Sequence, residues 1–135
     1  MEVRVTPAPN DNGKTVPRIL LVDDDVVFGQ IMLGFAKEQN LALTYCRSTE
    51  QVSRLTQFNF QLAVIDYDLG AITGIQLSHF LERFLYSIPV ILVSQYREIN
   101  RSPLPPCIRE FIHKSAGPSE ILEAALRTLR YEYSK

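Results

Sequence analysis

From Arg18 onward, short apolar runs alternate with stretches whose apolar residues recur every three or four positions. The runs are RILLV at 18–22, LALTYC at 41–46, LAVI at 62–65, VILV at 90–93 and IREFI at 108–112. Runs this short, and mostly apolar rather than alternating, read as strands covered on both faces. Between them, Phe28, Ile31, Met32 and Phe35 mark one face of a helix, and Leu77, Phe80, Leu81 and Phe84 mark another. Pro89 stops the second of these near 86–88. Ser48 and Gln51 fit a capping box opening a short helix with Val52 and Leu55 on one face. A last helix starts near Pro118 and carries Ile121, Leu122, Ala125 and Leu129. Each parallel strand pair requires a crossover, so five strands alternating with helices predict an α/β fold with an open parallel sheet and helices on both faces. Pro103, Pro105 and Pro106 interrupt the pattern. A fourth helix there is confined to 95–101 and is expected to be short or missing. Residues 1–16, rich in Pro, Asn, Asp, Gly and Thr, read as a flexible N-terminal tail, and 17–135 as one domain.

Length and charge narrow this further. With 135 residues, 46% of them hydrophobic, the chain has enough apolar content for one core. Fourteen basic against fifteen acidic residues leave a net charge of −1, which supplies no electrostatic footprint for nucleic acid or an anionic membrane. The first residues lack the apolar core of a secretory signal, so a cytoplasmic location is expected. Cys46 and Cys107 match no zinc spacing and read as free, small hydrophobes.

Candidate chemistry gathers at the carboxyl ends of the predicted strands, where open α/β sheets hold their ligands. Asp23, Asp24 and Asp25 follow the first strand, Asp66 the third, Ser94 the fourth, and His113 and Lys114 the fifth. Asp25 reads as the N-cap of the first helix. Carboxylates converging at one edge require a cation, and hard oxygen ligands suit Mg²⁺. A carboxylate can accept a phosphoryl group as an aspartyl phosphate. The oxygens of that group then need partners, which Mg²⁺, the Lys114 ammonium and the Ser94 hydroxyl can provide. His79 and His113 belong to no partner pattern and read as structural or solvated.

The motifs LLVDDD, AVIDYDLGAITG, PVILVS and FIHK, in this order and at these gaps, resemble the receiver domain of two-component response regulators in its short, chemotaxis-like form. The resemblance covers residues 18 to about 130. It implies a flavodoxin-like sheet of strand order 2-1-3-4-5 and phosphorylation of Asp66. It also implies Mg²⁺ held by Asp24, Asp23, Asp66 and the carbonyl of Asp68. Ser94 takes the place of the family's switch hydroxyl, Lys114 that of its phosphate-pairing lysine, Phe111 that of its aromatic rotamer switch, and Gly74 that of the glycine after the acceptor. Implied partners are a sensor histidine kinase or phosphotransfer domain as donor and a downstream protein target. The chain is then a single-domain phospho-acceptor, monomeric or weakly dimeric, and not an enzyme turning over external substrates. No output segment follows residue 135, so output is expected through a bound protein.

Three positions and one stretch depart from the family pattern. Gly70 replaces a usual proline, which is expected to loosen its loop. Gln95 replaces a small residue and is expected to crowd the acceptor. Ser115 replaces the proline after the lysine and is expected to leave Lys114 less firmly held. The proline-rich stretch replaces much of the fourth helix, part of the usual signalling face. These departures keep open a receiver-like interaction module that is not phosphorylated. The Asp66-Tyr67-Asp68 run keeps open a haloacid-dehalogenase-type phosphatase, although such enzymes place their second acidic pair late in the chain.

Overall fold

The computed structural model describes residues 4–5, 16–55, 59–84, 88–96 and 104–134. The elements run β1 (Arg4–Val5), β2 (Arg18–Val22), α1 (Val26–Glu38), β3 (Ala42–Cys46), α2 (Thr49–Ser53), β4 (Leu62–Asp66), α3 (Gly74–Phe84), β5 (Val90–Ser94), β6 (Ile108–His113) and α4 (Pro118–Tyr133). A 3₁₀ turn, Lys114–Ala116, joins β6 to α4. The sheet order is β1-β3-β2-β4-β5-β6. The five strands from β2 to β6 are parallel and follow the expected flavodoxin-like order 2-1-3-4-5. Strand β1 is an addition. Residues 4–5 fall within the stretch read as a flexible tail, yet they pair antiparallel with Tyr45 and Thr44 at the edge of β3.

Strands β3, β4 and β5 are buried along their whole length, as their apolar composition dictates. Two cores result, one on each face. On one face, Ile19, Leu21, Leu43, Tyr45, Leu62, Val64, Ile91 and Val93 pack under α1 and α4. On the other, Leu20, Val22, Ala63, Ile65 and Val90 pack under α2 and α3. Strand β6 lies at the edge of the order and is only partly buried.

Helix α1 begins at the Asp25 cap, whose Oδ1 accepts a hydrogen bond from Phe28 N–H at 3.2 Å. It ends at Asn40, in the left-handed region at φ +57°, with Leu41 N–H bonding Ala36 O and Asn40 N–H bonding Lys37 O. Its buried stripe is Phe28, Gly29, Met32 and Ala36. Ile31, expected inside, flanks that stripe and is 43% exposed, and Phe80 on α3 is likewise exposed. Helix α2 opens as the capping box predicts, with Gln51 N–H donating to Ser48 Oγ. Most of the stretch to which a fourth helix was confined, 97–101, lies outside the described residues. Among the described residues on either side, 95–96 and 104–107, there is no helix. The registers of β5 and β6 shift by one residue between Val90 and Ile91, so Val90 pairs with Ile108 but Ser94 pairs with His113. No helix among the described residues is long and apolar enough to cross a membrane.

Candidate functional site

Register brings the acidic residues level. Val22 pairs with Ile65, so Asp23, one residue past β2, comes beside Asp66 at the tip of β4. Asp66 continues the row of Leu62 and Val64 on the face covered by α1 and α4. Asp23 is held on several sides. Its N–H donates to Cys46 O, and its Oδ1 accepts from Asp25 N–H at 2.9 Å. The buried Tyr45 hydroxyl donates to the carbonyls of Asp23 and Asp25, at 2.7 and 3.3 Å. One oxygen, Asp23 Oδ2, is left facing the Lys114 ammonium at 2.8 Å.

Lys114 comes from the opposite side of the site. Its Nζ lies 3.6 Å from Asp66 Oδ2 and 4.8 Å from the centroid of the Phe28 ring. The ammonium therefore sits between two carboxylates with an aromatic face beside it. Burial raises the Asp66 pKa, the neighbouring Asp23 and Asp24 raise it further, and Lys114 only partly offsets them, so the carboxyl is pushed up to about 7. Asp23 is raised as well, mainly by burial, with Lys114 opposing. Burial would lower Lys114, but the two carboxylates prevail and hold it above the usual lysine value.

Carboxylate oxygens of Asp23, Asp24 and Asp66 all lie within 4.8 Å of one another, Asp24 from an exposed position. Oxygens around an octahedral Mg²⁺ lie roughly 3 to 4 Å apart, so small side-chain movements would close this cluster on one ion. Asp23 Oδ2 is buried and, apart from the Lys114 ion pair, has no hydrogen-bond partner among the described residues. The donor set is hard, anionic and incompletely satisfied, which fits a divalent cation.

Ser94 ends β5 fully buried, beside Asp66 through the pairing of Asp66 with Val93. Its Oγ accepts from Tyr96 N–H at 2.9 Å. Asp68 is exposed, and its Oδ2 lies 3.5 Å from the Tyr96 hydroxyl. Phe111 is half-buried on β6, paired with Leu92. Gly74 opens α3 where a side chain cannot fit. A Cβ there would lie 2.3 Å from Asp66 O and 2.8 Å from Leu92 Cδ1. Its N–H donates to Tyr67 O at 2.7 Å and closes the loop beyond Asp66.

The family profile described as response regulator receiver domain matches residues 19–126. The chain belongs to the response regulator receiver domain family. A receiver domain protein from Methanospirillum hungatei JF-1 superposes on this receiver with a TM-score of 0.78 at 20% identity, over 89% of this chain and 98% of that one. The response regulator protein TrrA from Thermotoga maritima, solved in complex with Mg(2+)-BeF, gives a TM-score of 0.72 at 18% identity, over 84% and 99% of the two chains. Among curated proteins, the transcriptional activator protein ExaE of Pseudomonas putida is 29% identical over 116 residues, 82% of this chain. The receiver spans about half the length of that relative, 54%.

Three of the departures of this receiver from the family pattern have local contacts of their own. The loop at Gly70 is hydrogen-bonded within itself. Gly70 adopts φ +83°, closed to proline, and its N–H donates to Asp68 Oδ1 at 3.1 Å. Asp68 and Thr73 form a bridge across the loop, and Leu69 N–H donates to Ile72 O. Gln95 is exposed, and its carbonyl oxygen lies 2.8 Å from His113 Nε2. Ser115 N–H donates to His113 Nδ1 at 3.1 Å. Three residues around the site, Phe28, Tyr45 and Tyr96, escaped the motif reading, and His113, inside the FIHK motif, read only as structural or solvated. Of the first three, only Phe28 carried a sequence signal, its place on the buried face of α1.

Proposed function

We propose that Asp66 accepts a phosphoryl group from phosphohistidine on a sensor histidine kinase or phosphotransfer domain, in the cytoplasm. The observation that carries this reading is the convergence of the Asp23, Asp24 and Asp66 carboxylates on one point, with the Lys114 ammonium 2.8 Å from Asp23 and 3.6 Å from Asp66. Mg²⁺, when bound by Asp23, Asp24, Asp66 and the carbonyl of Asp68, supplies positive charge for the acidic cluster and the phosphoryl oxygens. An Asp66 oxygen attacks phosphorus, the P–O bond forms, the P–N bond breaks, and the leaving imidazole nitrogen takes a proton from solvent. Lys114 turns from Asp23 to the new dianion, and the Ser94 hydroxyl gives up its Tyr96 contact to donate to it. Phe111, on the strand that leads into Lys114, carries the shift to the surface read by a downstream protein. The receiver then acts as a phospho-acceptor and not as an enzyme on external substrates.

A second reading has its own support. The Lys114–Asp23 contact is shorter than the Lys114–Asp66 contact, so the ammonium already neutralises part of the cluster. A receiver-like interaction module that is never phosphorylated would keep that pairing. Incubation with acetyl phosphate and Mg²⁺, followed by intact mass measurement, decides between the two. One added phosphoryl group, absent in Asp66→Asn, supports the acceptor. An unchanged mass supports the module, and catalytic hydrolysis of a phosphate ester would favour a phosphatase.

A further inference from the structure

His113 ends β6 opposite Ser94 and immediately before Lys114. Its ring touches both loops that flank the acceptor. Ser115 N–H, which can only donate, points at Nδ1 from 3.1 Å, and the Ser115 hydroxyl lies 2.7 Å from the same nitrogen. Nδ1 therefore presents its lone pair, and the neutral ring carries its proton on Nε2. That Nε2–H donates to Gln95 O at 2.8 Å. The imidazole thus ties the residue after Ser94 to the 3₁₀ turn that begins with Lys114. A proline at 115 has no N–H and would remove the first of these bonds.

We infer that His113 is a positioning residue that takes over the work of the missing proline: its ring, the Ser115 N–H and the Gln95 carbonyl fix the Lys114 turn and couple it to the Ser94 loop. This rests on the reading of Asp66 as acceptor and Lys114 as its partner. Of the three members, Ser115 is the one whose contributed group a proline would lack, while Gln95 supplies a backbone carbonyl. The residue at 115 keeps its N–H because it is not proline, and the imidazole between the two loops uses both nitrogens at once. Lys114 and Ser94, which must approach the same phosphoryl group, then move as one unit.

Phosphorylation rate with acetyl phosphate, lifetime of the phosphorylated form, and Mg²⁺ affinity by calorimetry test this in the whole chain. His113→Ala should slow phosphorylation or shorten the lifetime by roughly fivefold, the equivalent of one hydrogen bond. Mg²⁺ affinity should stay within about twofold, because no carboxylate is disturbed. Adding Ser115→Pro to His113→Ala should recover most of the loss, which a merely structural role would not allow. An unaltered His113→Ala, or a loss that proline does not repair, overturns the assignment. Should His113→Ala fail to fold, nitrogen chemical shifts of the wild-type ring decide. A neutral Nε2–H ring with a hydrogen-bonded Nδ1 is expected, and the opposite or a freely exchanging tautomer overturns the bridge. Those shifts are read without phosphorylation, so a failure of the bridge is distinct from a failure of Asp66 to be labelled.

Discussion

At Asp66 the fold works against the charge that the chemistry needs. Burial and two neighbouring carboxylates push its pKa from 3.8 to about 7, and the lysine beside it recovers only part of that. The folded state therefore holds the Asp66 proton more tightly than the unfolded chain does. Its ionisation costs no stability below about pH 4, and the cost grows as pH rises through 7. At about 1.4 kcal/mol per unit, the full cost is at most about 4 kcal/mol. Lys114, raised instead, contributes stability that is constant over this window and lost only at strongly alkaline pH. Urea unfolding of the metal-free protein should thus show wild type losing stability relative to Asp66→Asn between pH 4 and 8. Saturating Mg²⁺ should remove most of that difference. Gly74 makes the complementary steric point. Gly74→Ala drives a methyl into the Asp66 carbonyl and should cost about 1–3 kcal/mol, with weaker Mg²⁺ binding by calorimetry. Residues such as Asp23, Asp66 and Lys114 were legible in the sequence because each stands at the end of its own strand or directly after it. Tyr45 and His113 were not, since their partners Asp23 and Gln95 lie 22 and 18 residues away and become neighbours only through sheet pairing.

Element by element, helix α1 shows where periodicity is informative and where it is not. Apolar spacing placed the helix correctly but could not say that its closest approach to the sheet would be through a glycine. A Cβ on Gly29 would lie 2.2 Å from Tyr45 Cζ, so the ring of β3 occupies the space where a side chain would stand. This contact centres the buried stripe on Phe28, Gly29, Met32 and Ala36 and leaves Ile31 at its flank. Two glycines on one helix should therefore respond oppositely. Gly29→Ala should destabilise the protein by about 1–3 kcal/mol. Gly34→Ala, with nothing within 4 Å of its added Cβ, should stabilise it by about 0.5–1 kcal/mol. Urea midpoints report both signs. Tyr45→Phe keeps the ring and loses only the hydroxyl bonds to Asp23 and Asp25. Its expected cost is about 1 kcal/mol in the same assay, together with a several-fold weaker Mg²⁺ affinity.

Across the whole molecule, the parallel sheet was legible because short, doubly buried strands cannot be anything else at this length. The antiparallel edge ladder of Arg4–Val5 was not, because a two-residue strand is too short to show a period and lies in a stretch rich in Pro, Asn, Asp, Gly and Thr. The one-residue offset between β5 and β6 was equally invisible, and it has a consequence for length. It introduces Arg109 as an extra residue in β6, and so sets Lys114 one step past Ser94 instead of two. Deleting Arg109 would straighten the ladder and leave every other pair, and Lys114, where they are, whereas a residue inserted between Glu110 and His113 would carry the ammonium about 3.3 Å outward, further than a 2.8 Å contact can follow. Edge strand β6 thus serves as a ruler for the cation, and this receiver should tolerate substitution along that strand, or the loss of its extra residue, far better than the gain of another.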